Sequence, residues 1–430
     1  MMTPKSSRRD FLKQSVALGA GCAAMAAASP LARAAGANER IVLGFMGVNS
    51  RGSDLARGFA GLEGVEIAYI CDVDAAAIAK GVKAVGDKQP RPPKGVNDFR
   101  RVLEDPQVDA LVIAAPDHWH APATILACSA YKHVYVEKPA CHNPHEGELM
   151  IAAARKFNRV VQVGMQRRSM PILVEAIERV RGGVLGRLFF SRGWYNSDRG
   201  PIGRGKPAAV PPGLDYALWQ GPAPERPYRD NVVHYNWHWF WHWGTGELGN
   251  NGIHALDLCR WGMGVDYPRR VISGGGRYHF SDDQETPDTQ VVTFECGDKA
   301  ITWEGHSCYR RGFEGSTFGV AFYGEKGSLV TDGGSYRLYD PQDKEIGKVS
   351  GAGGDAPHYR NFLECIRNGS LPNADVEEGH KSTLLCHLGN IAWRTGRTVS
   401  CDPTSGKIVG DKGAARLWRR DYRRGWEPRV

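Results

Sequence analysis

Arg40-Ile41-Val42-Leu43-Gly44-Phe45-Met46-Gly47-Val48-Asn49-Ser50-Arg51-Gly52 reads as a buried strand running into a tight turn. The apolar run is too continuous for a half-exposed strand and suits one covered on both faces. Gly47-Val48-Asn49-Ser50-Arg51-Gly52 has the spacing of G-x-G-x-x-G, with Asn49 in place of the middle glycine. The middle glycine lets backbone approach a pyrophosphate, so Asn49 brings a side chain to a crowded place. A helix with Leu55, Phe59 and Leu62 on one face follows. A second strand, Val65–Cys71, then ends at Asp72, about 20 residues beyond Gly52. An acid at that distance accepts hydrogen bonds from the adenosine ribose of NAD and repels a 2′-phosphate. The expected cofactor is therefore NAD rather than NADP, held by Gly47, Asn49, Ser50, Arg51, Gly52 and Asp72.

The same rhythm continues outward. Val108–Ala115 is another buried strand, and Pro116-Asp117-His118-Trp119-His120 is read as a loop beside the cofactor, with Pro116, His118 and His120 lining it. No third ligand stands near the two histidines, so a metal is not indicated. A helix over Pro122–Tyr131, a strand at Val134–Val136, a helix over His145–Phe157 and a strand at Val160–Gly164 complete an alternating series, which signals a parallel sheet. Val134-Tyr135-Val136 ends abruptly in Glu137-Lys138-Pro139. Pro139 stops the ladder and biases Lys138 away from helix. Lys138 is thus expected at the carboxyl end of a strand, where open α/β sheets place ligands. A lysine there carries protons if its pKa falls towards about 7–8.

Beyond about Gln166 the pattern changes. Leu188–Tyr195 and Arg270–Gly275 read as strands. Thr289–Cys296 and Lys299–Gly305 flank Gly297-Asp298, and Thr317–Tyr323 and Ser328–Asp332 flank Gly324–Gly327, both hairpin signals. These imply a large, mostly antiparallel sheet. Residues 196–236 resemble a long insertion capping the site. In Tyr235-Asn236-Trp237-His238-Trp239-Phe240-Trp241-His242-Trp243, an extended chain would put indoles on one face and imidazoles on the other. Sugar stacking with hydroxyl bonding, through Trp237 and His238, is one reading; aromatic packing of the insertion against the sheet is another. A metal would require His234, His238 and His242 at helical spacing. Gly246–Asp257 opens a helix on which Asn250 and His254 stand one turn apart, with Asp257 placed either to support His254 or simply to solvate the helix. Helices are also expected near Pro357–Asn368 and Val376–Thr395. The basic, aromatic end from Lys412 is open to reading as an arm, an oligomer contact or a lid.

The glycine turn, Asp72, Ala115–His120, Glu137-Lys138-Pro139 and Gln162–Arg168 together resemble the Gfo/Idh/MocA oxidoreductases, the family of glucose–fructose oxidoreductase and inositol dehydrogenase. The resemblance implies an N-terminal Rossmann domain (residues 38–165) and a C-terminal α+β domain (166–430) whose sheet covers the cofactor and often makes an oligomer contact. It implies that Lys138 lies close to nicotinamide and substrate, with Glu137 and Gln166 on the cofactor side. It also places His254 in a second motif in which Asn250 stands where an acid is usual. Lys138 and His254 are the expected catalytic pair, and Arg168, Tyr195, Trp237, His238 and Asn250 the expected substrate contacts.

The 430-residue chain carries a formal charge of +8, part of it in Ser7-Arg8-Arg9-Asp10-Phe11-Leu12-Lys13, a twin-arginine pattern. An apolar run from Val16 to Ala28 and Ala32-Arg33-Ala34 follow, so residues 1–34 read as a signal for export of a folded protein to the periplasm. The dispersed basic excess that remains argues against nucleic acid, and no later stretch reads as a membrane span. Export of a nucleotide-holding protein fits a cofactor that is tightly bound and reoxidised in place. The expected activity is oxidation of a carbohydrate or polyol hydroxyl. A glycoside-cleaving enzyme that oxidises a hydroxyl transiently is the rival, and a sugar-binding protein without catalysis a third reading.

Overall fold

The computed structural model describes residues 40–86 and 88–430; the signal reading of residues 1–34 lies outside the described residues. The first sheet has six strands: β1 (Ile41–Met46), β2 (Val65–Cys71), β3 (Lys94–Val96), β4 (Ala110–Ile113), β5 (His133–Val136) and β6 (Val161–Val163). They run parallel in the order β3-β2-β1-β4-β5-β6. The chain reverses its winding between β1 and β4, which leaves a crevice at their carboxyl ends. Leu43, Phe45, Ile67, Ile70, Val112 and Tyr135 are fully buried, as both-face coverage requires.

The second sheet contains β7 (Leu188–Asn196), β8 (Arg270–Gly276), β9 (Thr289–Cys296), β10 (Lys299–His306), β11 (Phe318–Gly324), β12 (Gly327–Thr331), β13 (Ser335–Tyr339), β14 (Glu345–Ser350), β15 (Val399–Cys401) and β16 (Ile408–Val409). Its order is β14-β13-β12-β11-β7-β10-β9-β8-β15-β16, antiparallel except for β7 beside β10. Both expected hairpins form, with Cys296 opposite Lys299 and Gly324 opposite Gly327. The helix Val376–Thr395 lies between this sheet and the first domain, and Ile253–Met263 packs beside it against the same sheet.

Two elements differ from the expectation in ways that matter to the site. The helix after β4 starts at Asp117, not Pro122, so His118 and His120 stand in its first turns and Pro122 lies inside it. Pro122 has no N–H to give the His118 carbonyl. Arg420 Nη2 supplies the missing donor at 2.7 Å. The carboxy-terminal segment is therefore not a free arm. Arg420 and the Tyr422 hydroxyl both bond the fully buried Glu146, and Trp426 meets Trp119 edge-on. Likewise the helix Ala356–Asn368 packs on the first sheet's flank, with Tyr359 stacked on Phe59 at 4.5 Å.

Candidate active site

The carboxyl ends of β1, β2, β4 and β5 open into one cleft of about 1460 Å3. Its nucleotide half is shaped by two glycines. Gly47 has φ 84°, and a Cβ on Gly52 would fall 1.7 Å from the Gly47 carbonyl oxygen. Asn49 has no left-handed backbone; its carbonyl accepts from Lys80 Nζ and its side chain lines the cleft. Asp72 accepts from the Val48 N–H at 2.7 Å and the Asp74 N–H at 3.1 Å, which fixes the carboxylate across the turn. Burial nevertheless pushes its pKa up. Ser50, Arg51, Pro116, His120, Glu137 and Gln166 also line the cleft. Arg51 is tied at both ends, by Nε to Glu137 (2.9 Å) and by Nη1 to Asp355 (2.7 Å). His120 sits between two carbonyls, of Pro139 (2.6 Å from Nδ1) and of Ala115 (2.8 Å from Nε2).

Lys138 stands where β5 ends, and its Nζ donates to the Asn250 carbonyl at 2.7 Å and to Asn250 Oδ1 at 3.0 Å. Asn250 does not lie on an α-helical turn with His254. Leu248–Gly252 is a π-helical turn, and the α-helix begins only at Ile253. Such an insertion re-aims side chains and frees carbonyls at functional sites. Burial is the main force lowering the Lys138 pKa, opposed by Glu137, Asp117 and Glu247. Tyr235 lines the same wall as Asn250. His238 completes this wall: it stacks on Trp237 at 3.6 Å, and its Nδ1–H donates to the Tyr235 carbonyl at 2.6 Å. Burial pulls its pKa down to about 3, so the ring is neutral with Nε2 as the acceptor nitrogen.

Several expected site residues lie elsewhere. Arg168 is buried in an ion pair with Asp257 (2.8 Å) and reaches Glu378 (3.4 Å). A guanidinium this deep needs carboxylates, so it braces two helices and does not reach substrate. Asp257 is thereby occupied, also accepting from Ser382, and does not support His254. His118 is fully buried behind the cleft wall, bonded to the Trp219 carbonyl at 3.0 Å. Tyr195, on β7, is half-buried outside the cleft lining, its phenol raised to about 12 chiefly by burial. His254 is also outside the lining. Burial, then Arg167, Lys138 and Arg51, holds its pKa well below the usual range.

The stretch 234–243 is not extended. Asn236–Trp239 forms a 3-10 turn, and the stretch divides between a packed core and the cleft wall. Trp239, Phe240 and Trp243 pack with Tyr216 and Trp219 in a core of their own, while Tyr235, Trp237 and His238 face the cleft. His234 pairs with Asp74 at 2.8 Å. Among the described residues no group of His, Cys, Asp or Glu could hold a metal, and all nine cysteines are free thiols.

Two buried acids near Lys138 escaped the sequence reading. Asp117 accepts from Thr245 Oγ1 at 2.7 Å, and Glu247 bonds Asn251 and Ser307 (3.3 Å). Burial raises both pKa values. The available signals were an acid directly after a proline at a helix start, and an acid in the Gly246-Glu247 turn ahead of Asn250.

Comparison with known proteins places this cleft in a family. Residues 41–165 match the profile of the oxidoreductase family, NAD-binding Rossmann fold, and residues 195–282 and 330–428 match its C-terminal alpha/beta domain. A glycosyl hydrolase family 109 protein of Saccharopolyspora erythraea is 32% identical over 215 residues, 45% of this chain and 46% of that protein. A levoglucosan dehydrogenase of Pseudarthrobacter phenanthrenivorans is 33% identical over 191 residues, 42% of each. The matched part thus spans less than half the length of either relative. An uncharacterized oxidoreductase of Bacillus subtilis is 25% identical over 333 residues, 77% of this chain and 83% of that one. Among solved structures, levoglucosan dehydrogenase in complex with NADH and levoglucosan superposes with a TM-score of 0.68, at 17% identity, over 84% of this chain and 99% of that one. With matching profiles over both halves and this shared fold, the chain belongs to the Gfo/Idh/MocA family of oxidoreductases, with an NAD-binding Rossmann domain.

Proposed function

We propose that the protein is an exported NAD-dependent oxidoreductase that oxidises a carbohydrate or polyol hydroxyl and keeps its cofactor between turnovers. The observation that carries this is one continuous cleft with Asp72 among its nucleotide-side residues and Lys138 at the β5 end, faced by Asn250, Tyr235, Trp237 and His238. Asp72, buried and fixed at the end of β2, favours NAD over NADP. Bound NAD supplies the hydride acceptor. This chain supplies the rest. Lys138 takes the hydroxyl proton, His238 Nε2 and the Tyr235 hydroxyl orient neighbouring hydroxyls, and Trp237 offers an apolar face to a sugar ring. His254, outside the cleft lining and held neutral by burial, is not assigned the proton.

Retention of the cofactor is supported by the cover over the cleft. Backbone bonds join Ala75 to Gly213 (3.0 Å) and Asp215 to Val73 (2.8 Å), Trp119 Nε1 bonds the Trp219 carbonyl (3.0 Å), and the Arg423 N–H bonds the Pro222 carbonyl (3.0 Å). Release requires several of these to open together. A periplasmic location by twin-arginine export, where free NAD is scarce, fits such retention. The exposed Ile272 and Val291 on the outer face of the large sheet support a homo-oligomer.

The glycosyl hydrolase relatives favour a second reading, glycoside cleavage, for which bound NAD would supply a transient oxidation of a ring hydroxyl with no net redox change. Incubating the purified protein with free sugars and with aryl glycosides separates the two. Reduction of bound nucleotide by one sugar and its reoxidation by a second supports the oxidoreductase. Aglycone release with no net redox change replaces it with the hydrolase.

A further inference from the structure

We propose that Asn250 is a positioning residue: standing where a carboxylate would charge-pair with Lys138, it holds Nζ by two uncharged acceptors, so that the buried lysine stays a neutral amine with its lone pair open to the cleft. A lysine ammonium has three N–H donors, whereas the amine has two and one lone pair. The structure offers Nζ two acceptors, the carbonyl and Oδ1 of Asn250, and both are uncharged. Among the described residues no carboxylate is ion-paired with Lys138. The π-helical turn makes this two-point grip possible, because it brings the main chain and the side chain of one residue to the same nitrogen.

Glu137, on the same strand end as Lys138, is occupied by Arg51. Asp117 and His120, on the helix after β4, are bonded to Thr245 and to two carbonyls. Glu247, beside the π-helical turn, is bonded to Asn251 and Ser307. These three carboxylates favour the ammonium from a distance. Arg51 opposes them, and His238, His254 and Cys386 face Lys138 from the remaining elements. Burial is the largest influence and favours the amine. A carboxylate at position 250 would reverse the balance, because it would stand at the 3.0 Å contact that Oδ1 now makes.

The use of the amine as a proton acceptor rests on the oxidoreductase reading; its ionisation does not. Competitive labelling of the full purified protein with acetic anhydride across a pH series, read peptide by peptide in the mass spectrometer, reports each lysine's ionisation. Exposed Lys326 and Lys344 serve as internal standards. In the wild type, Lys138 is expected to reach half-maximal reactivity well below those standards. Asn250→Asp moves that midpoint up by roughly one to three pH units, and Asn250→Leu leaves it at or below the wild-type position. Wild-type Lys138 titrating with the exposed lysines overturns the proposal, even if the Asp variant does not fold. So does a folded Asn250→Asp variant whose midpoint stays in place. The expected shift in a protein that oxidises no sugar leaves this proposal standing and removes the functional one.

Discussion

At the scale of single residues, the nucleotide end of the cleft was readable and the chemical end only half so. Gly47, Gly52 and Asp72 are fixed by spacing along one strand–turn–helix–strand unit, and such spacing survives in the sequence. Lys138 was legible because Pro139 ends its strand. Glu247 was not, because its nearness to Lys138 depends on how two domains meet, and Asp117 was not, because its nearness depends on β4 and β5 lying side by side. Arg168 misled because its partners, the buried Asp257 and the half-buried Glu378, come from helices distant in sequence. Replacing Asp72 by Ala is expected to cut the nucleotide that co-purifies several-fold and to relax the preference against NADP. Nucleotide content after denaturation, with both cofactors offered, measures this; unchanged content and preference would speak against the ribose role. Glu247→Gln should lower hydride transfer less than loss of Lys138 does, because its charge acts on Lys138 without touching it. Single-turnover rates of the two variants decide the order.

At the scale of elements, two local breaks in regular structure place the site. One is the π-helical turn that presents Asn250. The other is Pro122 inside its helix, whose cost is met by the carboxy-terminal segment through Arg420. Neither was legible: a π turn has no compositional period of its own, and Pro122 argued for a later helix start. Removing Arg420 leaves Glu146 and the His118 carbonyl without their main partner in a buried place. Arg420→Ala should therefore cost about 3–5 kcal/mol of stability. Pro122→Ala restores an N–H to that carbonyl, so the double variant should lose less than the sum of the two single changes. Urea unfolding of the four proteins gives the coupling, and strict additivity would refute the pairing of these two residues. Gly52→Ala meets the Gly47 carbonyl oxygen, and is expected to cost at least about 2 kcal/mol and to empty the protein of nucleotide.

At the scale of the whole molecule, the sequence divides more cleanly than the structure. The alternating β/α run and the later hairpins announce two sheets, and both formed as expected. Yet Tyr359 and Phe362, far beyond the first sheet in sequence, cover its Phe59 and Tyr135, and Arg420 and Trp426 close its other side. A fragment of residues 38–165 should accordingly fail to fold cooperatively, shown by a broad thermal transition where the whole chain gives a sharp one. Buried neutral histidines add a pH signature. Burial holds His358 and His380 at about 4 and His387 at about 3, below the ~6.5 of an unfolded chain. The unfolded state then binds more protons between those limits. Their contribution is complete above about pH 6.5 and is lost as pH falls towards 4. The melting temperature should drop over that window, and less steeply in His387→Gln. The central claim is that Lys138 moves the proton in a cleft that holds its own NAD. It is tested most directly by single-turnover reduction of the co-purifying nucleotide, comparing wild type with Lys138→Met on whichever sugar reduces it. One nucleotide per chain is expected in both proteins, with a rate lowered by roughly 10²–10⁴-fold in the variant. A variant that keeps its nucleotide and the wild-type rate, or a wild-type protein with no nucleotide and no affinity for it, would contradict the claim.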